Sequence, residues 1–208
     1  MKRITLAIIL TLILALDTVA STSWSIWPKT STKVKVSGTD VYFDFPAPPD
    51  TANYLLKPFT TPIFSSVTAS FSLTMDPGAF FTWCGAPCGN PCPDPAKTRL
   101  YLEQLDPPTC DWNDPETPCQ YHRWWSNPVS QELVAGDFML AVPLTPDQWS
   151  SVYGRFGTYD ATAMAAFYTA LQNLNRIGMS FGGGCFFGHG VSVAGGNARF
   201  TLHSYTAQ

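Results

Sequence analysis

Charge is scarce in this chain. Asp, Glu, Lys and Arg make up 13% of 208 residues, and the 15 acidic residues outnumber the 12 basic ones. With no basic stripe there is no electrostatic footprint for a phosphate backbone, so nucleic-acid partners are excluded. Glutamate is rarer still: Glu103, Glu116 and Glu132 are the only ones. None is paired at strand spacing with another acid, as the two facing carboxylates of glycoside hydrolysis would require. Asp44, Asp76 and Asp137 could partner one of them, but nothing selects them. Past residue 16 no apolar run approaches the ~20 residues that cross a bilayer, so no membrane span is expected in the mature chain. What is plentiful is aromatic and apolar: 14% and 45% of the residues respectively. A chain this apolar and weakly charged folds rather than staying disordered.

The N-terminus has three parts. Lys2 and Arg3 precede an apolar run from 4 to 16, and Thr18-Val19-Ala20 leads into Ser21. That is the layout of a secretory signal peptide. Asp17 interrupts the run before it reaches membrane-spanning length, which argues against the rival reading of a transmembrane helix. Cleavage near Ala20 leaves one domain-sized chain with a formal charge of −4, exported from the cytoplasm. Residues 21–40 read as a lead-in whose Trp24 and Trp27 tuck onto the domain, and 41–208 as that single domain.

All six cysteines, Cys84, Cys88, Cys92, Cys110, Cys119 and Cys185, fall in the mature chain. An even count in an exported protein reads first as disulfides. The x3 spacing of the first three does not suit a structural zinc site. We expect a local Cys110–Cys119 bridge and a second bridge tying Cys185 to the 84–92 cluster. Eight of the eighteen prolines crowd the same 84–119 zone. Proline gives no backbone donor, so most of that zone is predicted to be loop, with one strand over 98–105.

Strand signals dominate elsewhere. Residues 65–75 alternate Val67, Ala69, Phe71, Leu73 and Met75 with Ser and Thr, a period of two that buries one face. Further strands are expected over 41–45, 122–126, 137–144, 177–181 and 198–206. The last two flank a glycine-rich connection ending in a Gly195-Gly196-Asn197 turn. Two helices are signed. Thr145 with Pro146 opens a short one carrying Trp149, Val152 and Tyr153 and stopping at Gly154. Asp160 caps another whose apolar face is Met164, Phe167, Tyr168, Leu171 and Leu174. About eight strands with no helix between most of them predict an all-β fold, an antiparallel β-sandwich of jelly-roll type with one or two short helices at its edge.

From Trp124-Trp125 through the 136–144 strand, the Pro146–Trp149 turn, the amphipathic helix and the closing strands, the order of elements resembles the back half of galactose-binding-like jelly rolls. Carbohydrate-binding modules of secreted bacterial proteins use that sandwich. The resemblance covers residues 120–206 and implies sugar binding.

Several motifs carry candidate chemistry. Gly178-Met-Ser-Phe-Gly182 spells a nucleophile elbow, but glycines follow where that motif needs a helix, and no acid lies beyond Ser180. Gly188-x-Gly190 has Val193 where a dinucleotide fingerprint needs glycine. Asp106, Asp111, Asp114 and Glu116 crowd one loop and offer hard oxygen ligands to a structural Ca²⁺, or simply form Asp-Pro turns. His189 and His203 are isolated and read as structural. The stretch 122–126 suits binding best. On a strand, His122 and Trp124 share one face and Arg123 and Trp125 the other. Either one ring reaches a surface beside a polar group, or both are buried between two layers. Trp83 and Trp112 are placed for exposure. The chain therefore reads as a secreted, non-catalytic binding module for carbohydrate. An adhesive surface protein using the 84–119 loop is the alternative, and a hydrolase with an unrecognised site the third.

Overall fold

The computed structural model describes residues 23–28, 32–83, 94–106, 110–111, 118–185 and 187–208. The segment expected to be a signal peptide, Cys84, Cys88, Cys92, Trp112, Asp114 and Glu116 lie outside them. Two antiparallel sheets face one another. The first runs in the order β1 (Ser25–Trp27), β4 (Tyr54–Pro58), β12 (Leu174–Gly183), β7 (Ala96–Gln104), β8 (Arg123–Ser126) and β11 (Trp149–Ser150), with β9 (Gln131–Glu132) added to β7. The second runs β10 (Gly136–Pro143), β5 (Ser66–Met75), β14 (Ala198–Ala207), β3 (Asp40–Asp44) and β2 (Lys35–Ser37). A separate ribbon pairs β6 (Phe80–Trp83) with β13 (Val191–Ala194). The architecture is the expected all-β sandwich.

The alternation of β5 does what its sequence requires: Val67, Ala69, Phe71 and Leu73 are buried while the intervening Ser and Thr are not. Phe43 of β3 and Phe200 of β14 meet Phe181 of β12 from the opposite sheet, with ring centroids 5.2–5.7 Å apart. Burying each such ring contributes about 1.5–3 kcal/mol. A bulge in β14 between Leu202 and Ser204 shifts the phase of the strand. It turns Tyr205 inward in place of Ser204, and the Tyr205 hydroxyl donates across the gap to the Gly178 carbonyl at 3.0 Å. Gly178 is required by the approach of β4, because a Cβ there would strike the Leu55 carbonyl oxygen.

Two expectations about the path of the chain need correction. The glycine-rich unit is not a simple pair of strands: β12 and β14 belong to different sheets, with β13 between them. The predicted turn is present, with Gly195 at φ +75° and the Asp76 carboxylate accepting from both Asn197 nitrogens at 2.9 and 2.7 Å. The predicted helix at 146–153 is only a 3-10 turn, Pro146–Gln148. Trp149 is drawn wholly into the core, donates to the Pro143 carbonyl at 2.9 Å and starts β11, so the chain extends instead of coiling.

The second helix exists as α1 (Ala161–Gln172), with the Asp160 side chain accepting from the Ala163 amide at 2.7 Å. Its buried face is Ala163, Phe167, Ala170 and Leu171, whereas Met164 and Tyr168 are exposed and Leu174 belongs to β12. The small alanines bring the helix close to the sheet edge, where Phe167 meets Trp124 at 5.1 Å. Cys110 and Cys119 form the expected disulfide, with Cα atoms 5.4 Å apart. Cys185 is also disulfide-bonded, and the 84–92 cysteines expected to pair with it lie outside the described residues.

Candidate functional site

Alternation turns every second residue of the first sheet away from the core, and the register aligns those residues in rows. One row is Trp27, Tyr54, Ser180 and Arg99, on β1, β4, β12 and β7. The next is Leu56, Gly178, Tyr101 and Trp125. A third holds Arg176, Glu103 and Arg123. The outer face of an antiparallel sandwich is commonly wet and polar, yet here Tyr54, Leu56, Tyr101 and Trp125 are buried as a second apolar cluster. Val152 and Phe187, from turns folded over this face, pack against it. Continuous apolar stretches such as Tyr54-Leu55-Leu56 therefore belong to strands covered on both sides.

Between the two covering turns lies a cleft of about 600 Å³. Its aromatic lining is Trp27, Tyr54, Trp125, Tyr153 and Phe187, and its polar lining includes Asn53, Arg123 and His189. Trp27 is half exposed, with its ring 5.8 Å from that of Tyr54. The Trp125 indole N–H is buried with no hydrogen-bond partner among the described residues. Asn53 fixes one wall by donating to the Gly188 carbonyl at 2.9 Å while accepting from Thr51 at 2.8 Å. Gly188 sits directly on the Tyr54 hydroxyl, where a Cβ could not fit. Loss of water lowers the His189 pKa from its ordinary value, so it presents a neutral imidazole at neutral pH.

Arg123 is held from behind. Its Nη2 donates to Asp106 at 3.0 Å, and its Nε lies 3.8 Å from Glu103, which also faces Arg176 at 3.9 Å. Burial raises the Glu103 pKa, opposed by the two arginines. Burial likewise raises Tyr54 and Tyr101 above the usual phenol range, so both remain neutral hydroxyls.

The six sequence-selected binding residues separate. Trp125 and Arg123 reach the cleft, though Trp125 is buried in its floor rather than exposed at a surface. Trp124 is wholly inside the sandwich. His122 is not on the strand but ends a 3-10 turn, Pro118–His122, and lines a different groove beside α1. Trp83 is half-buried and packs against the core rather than standing exposed, and Trp112 lies outside the described residues. Trp27, Asn53, Tyr54, Tyr153, Phe187 and His189 were not selected. They sit on short strands and turns with no periodic signal, so the chain order hides their convergence.

Of the four acids expected around Ca²⁺, Asp106 is engaged by Arg123 and lies 3.4 Å from His122 Nδ1, and Asp111 is exposed. Cys110 completes a close trio with Asp106 and His122, but its sulfur is committed to the disulfide.

A second constellation stands on the outer face of the other sheet. His203, the bulge residue of β14, places Nε2 3.0 Å from the Ser72 hydroxyl and Nδ1 3.1 Å from Asp40. These are the group types of a serine-hydrolase triad. However, Ser72 lies mid-strand between Asp137 and Thr201, on a strand whose amides serve the sheet ladders. No oxyanion donors converge there among the described residues, so the trio reads as a surface hydrogen-bond chain. Ser180 of the elbow-like motif is likewise mid-strand in β12 and fully buried.

No family model matches the chain, and no curated protein does. A solved structure titled a sialidase is similar over 89% of this chain at 11% identity, with a TM-score of 0.35. This chain spans 17% of that protein's length. A likeness so loose carries no argument about function.

Proposed function

We propose that the chain is an exported, non-catalytic binding module and that its ligand is a carbohydrate held in the cleft on the outer face of the first sheet. One observation carries this: a half-exposed Trp27 ring stands at the mouth of an aromatic-floored cleft whose rim offers an amide and a neutral imidazole. Sugar rings present flat patches of C–H bonds that pack on aromatic faces, while their hydroxyls need nearby donors and acceptors. A volume of about 600 Å³ falls within the ~300–1,000 Å³ of small-ligand sites. Glu103 on this face and Asp106 beside it are both engaged by Arg123. A galactose-binding-like jelly roll would place the chain among modules with this role. No helix among the described residues is long and apolar enough to cross a membrane, and the disulfides suit an oxidising compartment.

The test is a glycan array with the folded chain, followed by calorimetry on any hit. Binding that Trp27→Ala weakens about tenfold or more supports the module, since stacked aromatic anchors contribute on that scale. An array blank across plant, bacterial and animal glycans would sink it.

A further inference from the structure

Arg99 occupies the outward row between the cleft and the middle of the sheet, directly opposite Ser180 and two residues from Tyr101. It is only 3% exposed. Its Nε and Nη1 have no hydrogen-bond partner among the described residues, and neither does the Ser180 hydroxyl beside it. The ring of Phe187, part of the cleft wall, covers the guanidinium at 3.8 Å. Asp94 offsets part of the charge, but a buried guanidinium whose N–H groups lack acceptors is still expensive, and folds retain one where something else completes it. A stacked ring supplies part of what is missing, through cation–π attraction, but it leaves the N–H groups without acceptors. Burial pulls the Arg99 pKa down to about 10, with Asp94 opposing, so the group is still charged at neutral pH. The cleft thus has a cation behind one wall, two unused donor nitrogens on it, and a spare hydroxyl next to it.

We infer that Arg99 is the acid-recognition element of this cleft and that the sugar it receives carries a carboxylate, as a uronic acid does, which reaches the guanidinium when the Phe187 ring turns aside. This rests on the carbohydrate reading of the cleft. Carboxylate oxygens accept from arginine N–H groups more strongly than neutral hydroxyls do, and in a site closed to water the contrast grows. A neutral sugar gains the aromatic floor without neutralising Arg99, so affinity and specificity come from different residues. Trp27 and Tyr54 hold any suitable ring, and Arg99 chooses the acid.

The experiment titrates the folded protein with a panel of uronate-containing oligosaccharides, each beside its own methyl ester, and with sulfated neutral sugars as a third arm. The acid should bind about 10- to 100-fold more tightly than its ester, the range expected of charge-assisted hydrogen bonds. Arg99→Met should erase that difference, with a melting temperature unchanged or higher because a buried group whose N–H donors lack acceptors has gone. Equal binding of acid and ester by the unaltered protein overturns the role of Arg99 but leaves carbohydrate binding standing. Preference for the sulfated arm overturns the carboxylate assignment. Silence in every arm overturns both proposals. If Arg99→Met does not fold, the Arg99 Nε–H resonance of the unaltered protein answers instead. A shift on adding uronate but not ester supports the inference, and no shift in either titration overturns it.

Discussion

Trp124 and Trp125 are neighbours in one short strand, and their surroundings differ in nearly every respect. Trp124 faces inward, donates its indole N–H to the Tyr121 carbonyl at 2.7 Å, and packs against Tyr121 and Phe167. Trp125 faces outward, packs at a tilt against Tyr101 and edge-on to Phe187, and lines the cleft with its N–H unmet. Both are almost fully buried, so burial alone does not tell them apart. The difference is hydrogen-bond closure. Trp124 has its polar group met from within, whereas Trp125, Ser180 and Arg99 on the outer face have unused capacity, as does the Thr98 hydroxyl on the inner side. Buried polar groups left unmet are few in folded proteins and call for an explanation, and three of them gather on the face that carries the cleft.

Substitutions test that contrast. Trp124→Ala should cost about 3–5 kcal/mol in urea denaturation, the usual range for emptying a large aromatic site in a core. A loss below ~1 kcal/mol would mean that the inner face is not the stabilising one. Replacement of each tryptophan by phenylalanine isolates the hydrogen bond. Trp124→Phe should cost about 2 kcal/mol, because the Tyr121 carbonyl loses its buried donor, and Trp125→Phe roughly half that, because no bond is broken. Equal losses would remove the distinction.

Acidification probes the cleft through His189, whose folded pKa is lowered. Above the ordinary histidine value of about 6.5 neither state holds the proton. As pH falls through and below it, the unfolded chain takes up a proton that the folded chain resists, and stability declines. The effect is shallow because His189 still meets solvent. Melting curves from pH 8 to pH 5 should therefore fall slightly less for His189→Gln than for the unaltered protein, and identical curves would show that the fold does not resist this proton. The smallest stability change belongs to Trp27→Ala, below ~0.5 kcal/mol for a half-exposed ring. A larger loss in the same denaturation assay would make Trp27 part of the scaffold rather than of the binding surface.

Much of the fold is legible in the sequence because it follows from local periodicity. The ten residues of β5 alternate so strictly that only one face can be inward, and Asp160 followed by an apolar three-and-four pattern can only open a helix. The cleft is another matter. Trp27 sits on a three-residue strand, and Tyr54 belongs to an apolar run with no alternation. Phe187 and His189 lie in a glycine-rich turn whose sequence speaks only of tight bends. The 145–154 segment shows the opposite failure: cap, proline and spacing all favoured a helix, and burial of Trp149 outweighed them. The α1 face was displaced for a related reason, since alanines that carry little hydrophobic weight in a pattern count heavily where a helix must approach a sheet closely.

Local chemistry is enough to make this chain a crosslinked, aromatic-rich β-sandwich, because alternation, proline content and cysteine count act through neighbours a few residues away. Long-range folding alone set that the outer face of one sheet would be roofed over, that Trp27, Tyr54 and Trp125 would meet there, and that Arg99 would lie beneath Phe187 with two nitrogens lacking acceptors. Those outcomes depend on register between strands more than a hundred residues apart, and no local pattern encodes which rows will align.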